Sequence, residues 1–175
     1  DRVDNPAESG VERYVGLEHL DADSLRIRRW GEITDVESTK LRFQPGDIIF
    51  GKRRVYQRKL AVADFEGICS AHAMVLRAKP RVVLPEFLPF FMQSDHFMER
   101  ALEISVGSLS PTINWKALAK EEFALPPLKE QSEIVLVGIL YAIFGTIFFI
   151  IFAAALFLPP KPYNWIVGMI LICIG

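Results

Sequence analysis

The 175-residue chain has a formal net charge of −1, with 51% apolar and 23% charged residues. So much apolar content excludes a disordered chain, and near-neutrality excludes a globally basic nucleic-acid binder, so any such surface has to be a local patch. The charge is unevenly placed: every Asp and Glu lies at or before Glu133, and only Lys161 is charged beyond it.

In chain order, residues 1–13 are polar and turn-rich and read as a flexible lead-in. Tyr14, Val15 and Leu17 begin a short strand, and Leu25-Arg26-Ile27-Arg28 alternates apolar and basic residues with the period of a half-buried strand. Gln44-Pro45-Gly46-Asp47 is a turn signal, because Pro pre-sets φ and Gly accepts positive φ. Ile48 to Phe50 is a buried-type strand, and further strands are expected at Leu60 to Ala63, Gly67 to Ser70 and Met74 to Arg77. Beyond Pro85 the apolar period becomes helical, first through Phe87, Leu88, Phe90 and Phe91, then through Phe97, Met98, Ala101 and Leu102. Ser94-Asp95 supplies an N-cap between them. Asn114 is placed to cap a helix over Trp115 to Glu121, with Trp115 expected in the core, and Pro126-Pro127 opens the last helix. The soluble part therefore reads as α+β, strands first and helices later.

One stretch carries chemistry. Gly51 to Lys59 reads GKRRVYQRK, with Lys52, Arg53, Arg54, Arg58 and Lys59 around Tyr56, and no acidic residue occurs from Ile48 through Ala63. Such cations neutralise phosphates and release counterions, arginine also reads guanine edges, and Tyr56 can stack on a base or donate to a phosphate. The competing reading is a solvated loop whose charges only discourage aggregation. Cys69 and His72 have a metal-like spacing, but no second ligand pair accompanies them, and His72 is too near in sequence to serve Cys69 as a base. No GxGxxG, phosphate-binding GK[ST] loop or methyltransferase-type catalytic tetrapeptide occurs, so no enzymatic site is expected and no cofactor is expected to bind this chain.

Taken in order, several segments resemble the target-recognition domain of type I restriction–modification specificity subunits. They are YVGLEHLD, Gly46-Asp47 with the basic stretch, Ser105-x-Gly107-Ser108 with Ile113-Asn114-Trp115, and Leu125-Pro126-Pro127-Leu128 with Glu130-Gln131. The resemblance covers residues 14–131. It implies a small curved-sheet α+β module that reads one half of a split target in double-stranded DNA without catalysis of its own. DNA contacts are then expected from Lys52, Arg53, Arg54, Tyr56, Arg58, Lys59 and Ser108. It also implies separate methyltransferase and restriction subunits as partners, to which S-adenosylmethionine, ATP and magnesium belong. In that family LPPLxEQ opens a long amphipathic spacer helix, commonly followed by a second recognition domain.

Here the pattern departs. Ile134 to Leu158 is apolar on every face, and no charged residue lies between Glu133 and Lys161. At about 1.5 Å per residue the run spans roughly 37 Å, enough for a hydrocarbon core of about 30 Å. We read residues 132–158 as a first transmembrane helix, 159–164 as a turn and 165–175 as the start of a second, with Tyr163 and Trp165 as interfacial aromatics. Lys116, Lys120 and Lys129 outnumber Lys161, which places the recognition domain in the cytoplasm and the apolar segment in the cytoplasmic membrane. Cys69 and Cys173 fall in different halves and are not expected to pair. The start at Asp1 and the stop within an apolar stretch read as a fragment at both ends. The expectation is DNA recognition joined to a membrane hairpin in contact with the lipid bilayer. The alternative is a membrane-anchored interaction or sensor module whose recognition domain has degenerated.

Overall fold

A computed structural model describes residues 1–157. They form two units, one spanning Asp1–Ser132 and a second that starts at Glu133. The expected turn (159–164) and second helix (165–175), with Tyr163, Trp165 and Cys173, lie outside the described residues.

The first unit has three layers. A five-stranded sheet takes β1 (Arg2–Val3), β2 (Arg13–Val15), β3 (Gly31–Glu32), β4 (Lys40–Phe43) and β7 (Gly67–Ser70) in the order β1-β4-β7-β2-β3. A three-stranded antiparallel sheet takes β5 (Ile48–Gly51), β6 (Leu60–Val62) and β8 (Ala73–Leu76) in the order β6-β5-β8. Helices α1 (Leu88–Gln93), α2 (Asp95–Glu103) and α3 (Trp115–Leu118) supply the third layer.

Central strand β5 shows why its sequence is apolar at every position. Successive side chains of a strand point to opposite faces. Ile49 packs with Val15, Phe43 and Cys69 of the first sheet, while Ile48 and Phe50 pack with Met92, Phe97 and Ala101 of the helices. A strand covered on both faces has no side to leave polar. Burial among these groups pushes the Cys69 thiol up to about 12, so it behaves as a small core residue rather than a nucleophile.

The turn before β5 is built as its residues require. Gly46 takes φ +89°, and the Asp47 N–H donates to Gln44 O at 3.0 Å. The buried Asp47 carboxylate accepts from Gln44 N at 2.9 Å and from Arg77 Nη2 at 2.7 Å. Burial raises its pKa, but the Arg77 hydrogen bond, the Gln44 N–H and the Arg77 charge together bring it below the usual carboxylate value.

Several expectations change. The polar lead-in is tied down rather than frayed: β1 pairs antiparallel with Lys40 and Leu41 of β4, and Pro6 is buried. Leu25–Arg28 is not a strand. Its backbone pairs with β6 through an isolated Arg26–Val62 bridge, Leu25 and Ile27 pack into the core, and Arg28 and Arg29 turn to Asp21. Helix α3 stops at Leu118, where tight turns take over and bring Phe123 onto Phe91 and Phe97. Trp115 is 57% exposed instead of being in the core, because Ile113 and Leu118 fill that space.

The last helix, α4 (Leu128–Phe157), runs for 30 residues, as the Pro-free interval predicts. Its start is bolted to the first unit by the fully buried Gln131. The Gln131 amide accepts from Leu84 N at 2.8 Å and donates to Pro126 O at 2.8 Å and to Val82 O at 3.2 Å. From Ile134 to Ile147, apolar side chains are exposed on every face, including the consecutive Ile139, Leu140 and Tyr141. Leu128–Ile147 is long and apolar enough to cross a membrane, and 6% of that window is buried.

Candidate nucleic-acid interface

The basic run is the connection from β5 to β6. Its ends leave β5 at Gly51 and enter β6 at Leu60, and a 3-10 turn, Val55–Gln57, sits between them. Val55 is buried and anchors that turn. The flanking Arg54 and Arg58 both adopt left-handed backbone, at φ 57° and φ 51°. Non-glycine residues there carry a cost of order 1 kcal/mol and persist only where surrounding contacts hold them.

Those contacts sort the cations into two groups. Arg58 donates through Nε to Asp23 at 2.6 Å and through Nη1 to Asp95 at 2.9 Å, and its Nη2 reaches the Gln93 carbonyl. Its hydrogen bond to Asp23 and the two carboxylate charges raise its pKa. Lys59 Nζ donates to Leu17 O at 2.6 Å. This end of the loop is bound into the protein. At the other end, Arg53 Nε donates to Ser110 Oγ at 2.8 Å and Arg54 Nε to the same oxygen at 3.3 Å. Arg53 Nη1 lies 3.5 Å from His72 Nε2. Lys52 and Tyr56 make no side-chain hydrogen bond or ion pair among the described residues, and Tyr56 is 54% exposed.

Three segments therefore meet at one end of the smaller sheet. The β5–β6 loop is bonded to the 105–113 loop through Arg54 N to Pro111 O at 2.7 Å and Ile113 N to Lys52 O at 2.9 Å. The β7–β8 turn joins through Lys52 N to His72 O at 3.1 Å. A cleft of about 360 Å³ opens beside them, lined by Arg53, Arg54, Gln57 and Lys59 of the β5–β6 loop, by His72 of the β7–β8 turn and by Glu18. The 105–113 loop is itself shaped by paired hydrogen bonds between Val106 and Thr112 and by Gly107 at φ +114°.

Of the residues singled out from sequence, Lys52, Arg53, Arg54 and Tyr56 lie in this loop cluster; Arg53, Arg54 and Lys59 line the cleft, and Lys52 borders a separate one with Trp115. Ser108 is exposed in the adjoining loop, two residues from the serine that receives both arginines. Ser110, Glu18 and Gln57 were not visible from sequence. His72 was weighed only with Cys69, as half of a metal pair and as a base; Cys69 is buried, and no metal-type cluster of His, Cys, Asp or Glu occurs among the described residues. Only the backbone bridge between Arg53 and Thr112 brings Ser110 to the arginines, and no spacing in the sequence reports it.

Fold and rim define a layered α+β module with a cationic loop cluster on one edge. Residues 29–137 match the family described as the type I restriction modification DNA specificity domain, and the chain belongs to that family. It is 36% identical over 100 residues to the type I restriction enzyme EcoDI specificity subunit of Escherichia coli, an overlap of 57% of this chain and 22% of that relative. The chain thus spans about a fifth of that relative's length. Among solved structures it is similar to the HsdS subunit from Thermoanaerobacter tengcongensis, with a TM-score of 0.68, 24% identity, and 89% of this chain and 42% of that one covered. A structure titled for complex assembly and conformational transition of the type I R-M system gives a TM-score of 0.66 at 20% identity, covering 87% of this chain and 42% of that one. These two establish the fold. Both cover more of the chain than Asp1–Ser132 contains, so the likeness runs into α4.

Proposed function

We propose that residues 14–131 recognise double-stranded DNA, reading one half of a split target for a type I restriction–modification system. The observation that carries this is the meeting of Lys52, Arg53, Arg54 and Tyr56 at a rim built by three bonded loops, in a chain of the DNA specificity family. In this reading Lys52 and Tyr56 meet the sugar-phosphate backbone, Arg53 and Arg54 face the grooves, and Ser108 approaches from the neighbouring loop. Arg58 and Lys59 shape the loop, with Lys59 held to the Leu17 carbonyl at the edge of the cleft. The domain is a recognition component, and methyl transfer and cleavage belong to methyltransferase and restriction subunits that it directs. The full chain, held in detergent, should retard duplex DNA at low salt and lose that affinity steeply as salt rises. A folded chain that retards no duplex favours the degenerate interaction module instead.

The second element of the proposal is that α4 from Ile134 on lies in a bilayer, with the recognition unit on the cytoplasmic side. What supports it is exposed apolar surface on every face from Ile134 to Ile147, which water does not tolerate at that length. The full chain should float with phospholipid vesicles and resist alkaline carbonate extraction. A chain that stays monodisperse in buffer without lipid or detergent contradicts it.

A further inference from the structure

Resting on the DNA reading above, we infer that Ser110 is a positioning residue that turns Arg53 and Arg54 into a reader of a G·C base pair, with Glu18 as the acceptor beside them. The argument starts from donor geometry. A guanidinium carries five N–H donors in a fixed fork. Ser110 Oγ takes the Nε–H of Arg53 at 2.8 Å and that of Arg54 at 3.3 Å, which fixes both planes while leaving their terminal N–H groups unspent on Ser110. Arg53 Nη1 is further guided by His72 Nε2 at 3.5 Å.

Phosphate binding does not ask for this. A phosphate accepts a cation from many directions, and Lys serves nearly as well as a point charge. A guanine edge presents two acceptors, N7 and O6, in one plane and rewards a guanidinium held in that plane. The cleft lined by the two arginines also takes in Lys59 and Glu18. A carboxylate repels phosphate but accepts from the exocyclic amino group of cytosine. One guanidinium fork satisfies the two acceptors of a guanine, and the carboxylate in the same cleft can accept from the paired cytosine.

The backbone makes the arrangement stiff. Arg53 and Thr112 form an antiparallel bridge, Arg54 N donates to Pro111 O at 2.7 Å, and Thr112 Oγ1 donates to Ser110 O at 3.1 Å. Ser110 therefore cannot drift from the arginines without breaking the contact between the two loops.

The test uses the full chain in detergent, selection from a randomised duplex library, and a salt titration on the preferred duplex. Ser110→Ala should flatten the preference for G·C at one or two adjacent positions by roughly ten-fold while leaving the salt slope unchanged. Ser110→Thr, which keeps the hydroxyl, should retain the preference. Arg53→Lys keeps the charge but not the fork, and should flatten the same position as Ser110→Ala. Thermal melts establish that each variant is folded. An unaltered preference in Ser110→Ala overturns the inference, as does a uniform loss across all sequences with a shallower slope, or a Ser110→Thr variant that behaves like Ala. A native chain that selects a sequence which Ser110→Ala selects equally removes this inference alone. A native chain that binds no duplex removes the DNA reading and this inference together.

Discussion

The two ends of the β5–β6 loop carry the same chemistry in sequence and opposite chemistry in space. Arg58 and Lys59 spend their donors on Asp23, Asp95 and the carbonyls of Gln93 and Leu17. Arg53 and Arg54 spend their Nε groups on a neutral hydroxyl, Arg53 Nη1 lies 3.5 Å from His72 Nε2, and Lys52 makes no side-chain hydrogen bond or ion pair among the described residues. A basic run is therefore not a footprint by its charge count. Which cations face a polyanion depends on whether carboxylates and carbonyls lie within reach, and tertiary contacts distant in sequence decide that.

The comparison can be sharpened by removing the bound end. Arg58→Ala takes away two ion pairs and a carbonyl contact from a left-handed position, and should cost about 2 kcal/mol in chemical denaturation. Arg54→Ala, at the other left-handed position, should change stability by about 0.5 kcal/mol or less, since its side chain touches only Ser110. Equal losses would mean the two ends play the same structural part.

A smaller effect is expected from the cap that follows the reading loop. Asn114 Oδ1 accepts from Lys116 N at 3.0 Å, so Asn114→Ala should cost about 1 kcal/mol and leave base preference intact. Altered preference at unchanged stability would place Asn114 among the reading groups instead.

The smallest effect is a pH dependence that comes from the turn leading into β5. The Asp47 pKa is lower in the folded state than the ordinary value of about 3.9. Its contribution is therefore complete above that value and is lost as pH falls through the lower folded-state pKa. Asp47→Asn should remove this part of the acid sensitivity in urea melts below pH 4. An unchanged acid profile would mean that the Arg77–Asp47 pair adds nothing to the scaffold beneath the loop.

Much of that scaffold was legible in sequence. The Pro-Gly turn before β5, the doubly buried Ile48–Phe50, the strand Gly67–Ser70 and the Ser94 cap of α2 each follow from local chemistry that tertiary structure did not override. The misses share a cause. Strand β4 went unread because its first residue is Lys40, a surface residue by type, here 5% exposed with its ammonium bonded to the Ser38 carbonyl and hydroxyl. Strand β1 went unread because two residues carry no period. Trp115 was assigned to the core by size, although its neighbours Ile113 and Leu118 already occupy that space. At the site, the basic residues were visible, but Ser110 was not.

The start of α4 teaches the same lesson. Glu130-Gln131 was informative only as part of a family pattern until Gln131 proved to be a buried amide satisfying Leu84, Val82 and Pro126. The uncharged run beyond it was plain from composition alone. What the structure adds is the exposure of its faces from Ile134 to Ile147, because a core helix of a soluble protein has the same composition.

The most direct measurement of the account is the salt dependence of duplex binding by the full chain and two double variants, Arg53→Ala/Arg54→Ala and Arg58→Ala/Lys59→Ala. The log–log slope should fall by between one and two for the first pair, as outward-facing cations are lost, and stay near its native value for the second once stability is matched. Equal falls in both, or no duplex binding by the folded native chain, would contradict the division of the loop on which this reading of the interface stands.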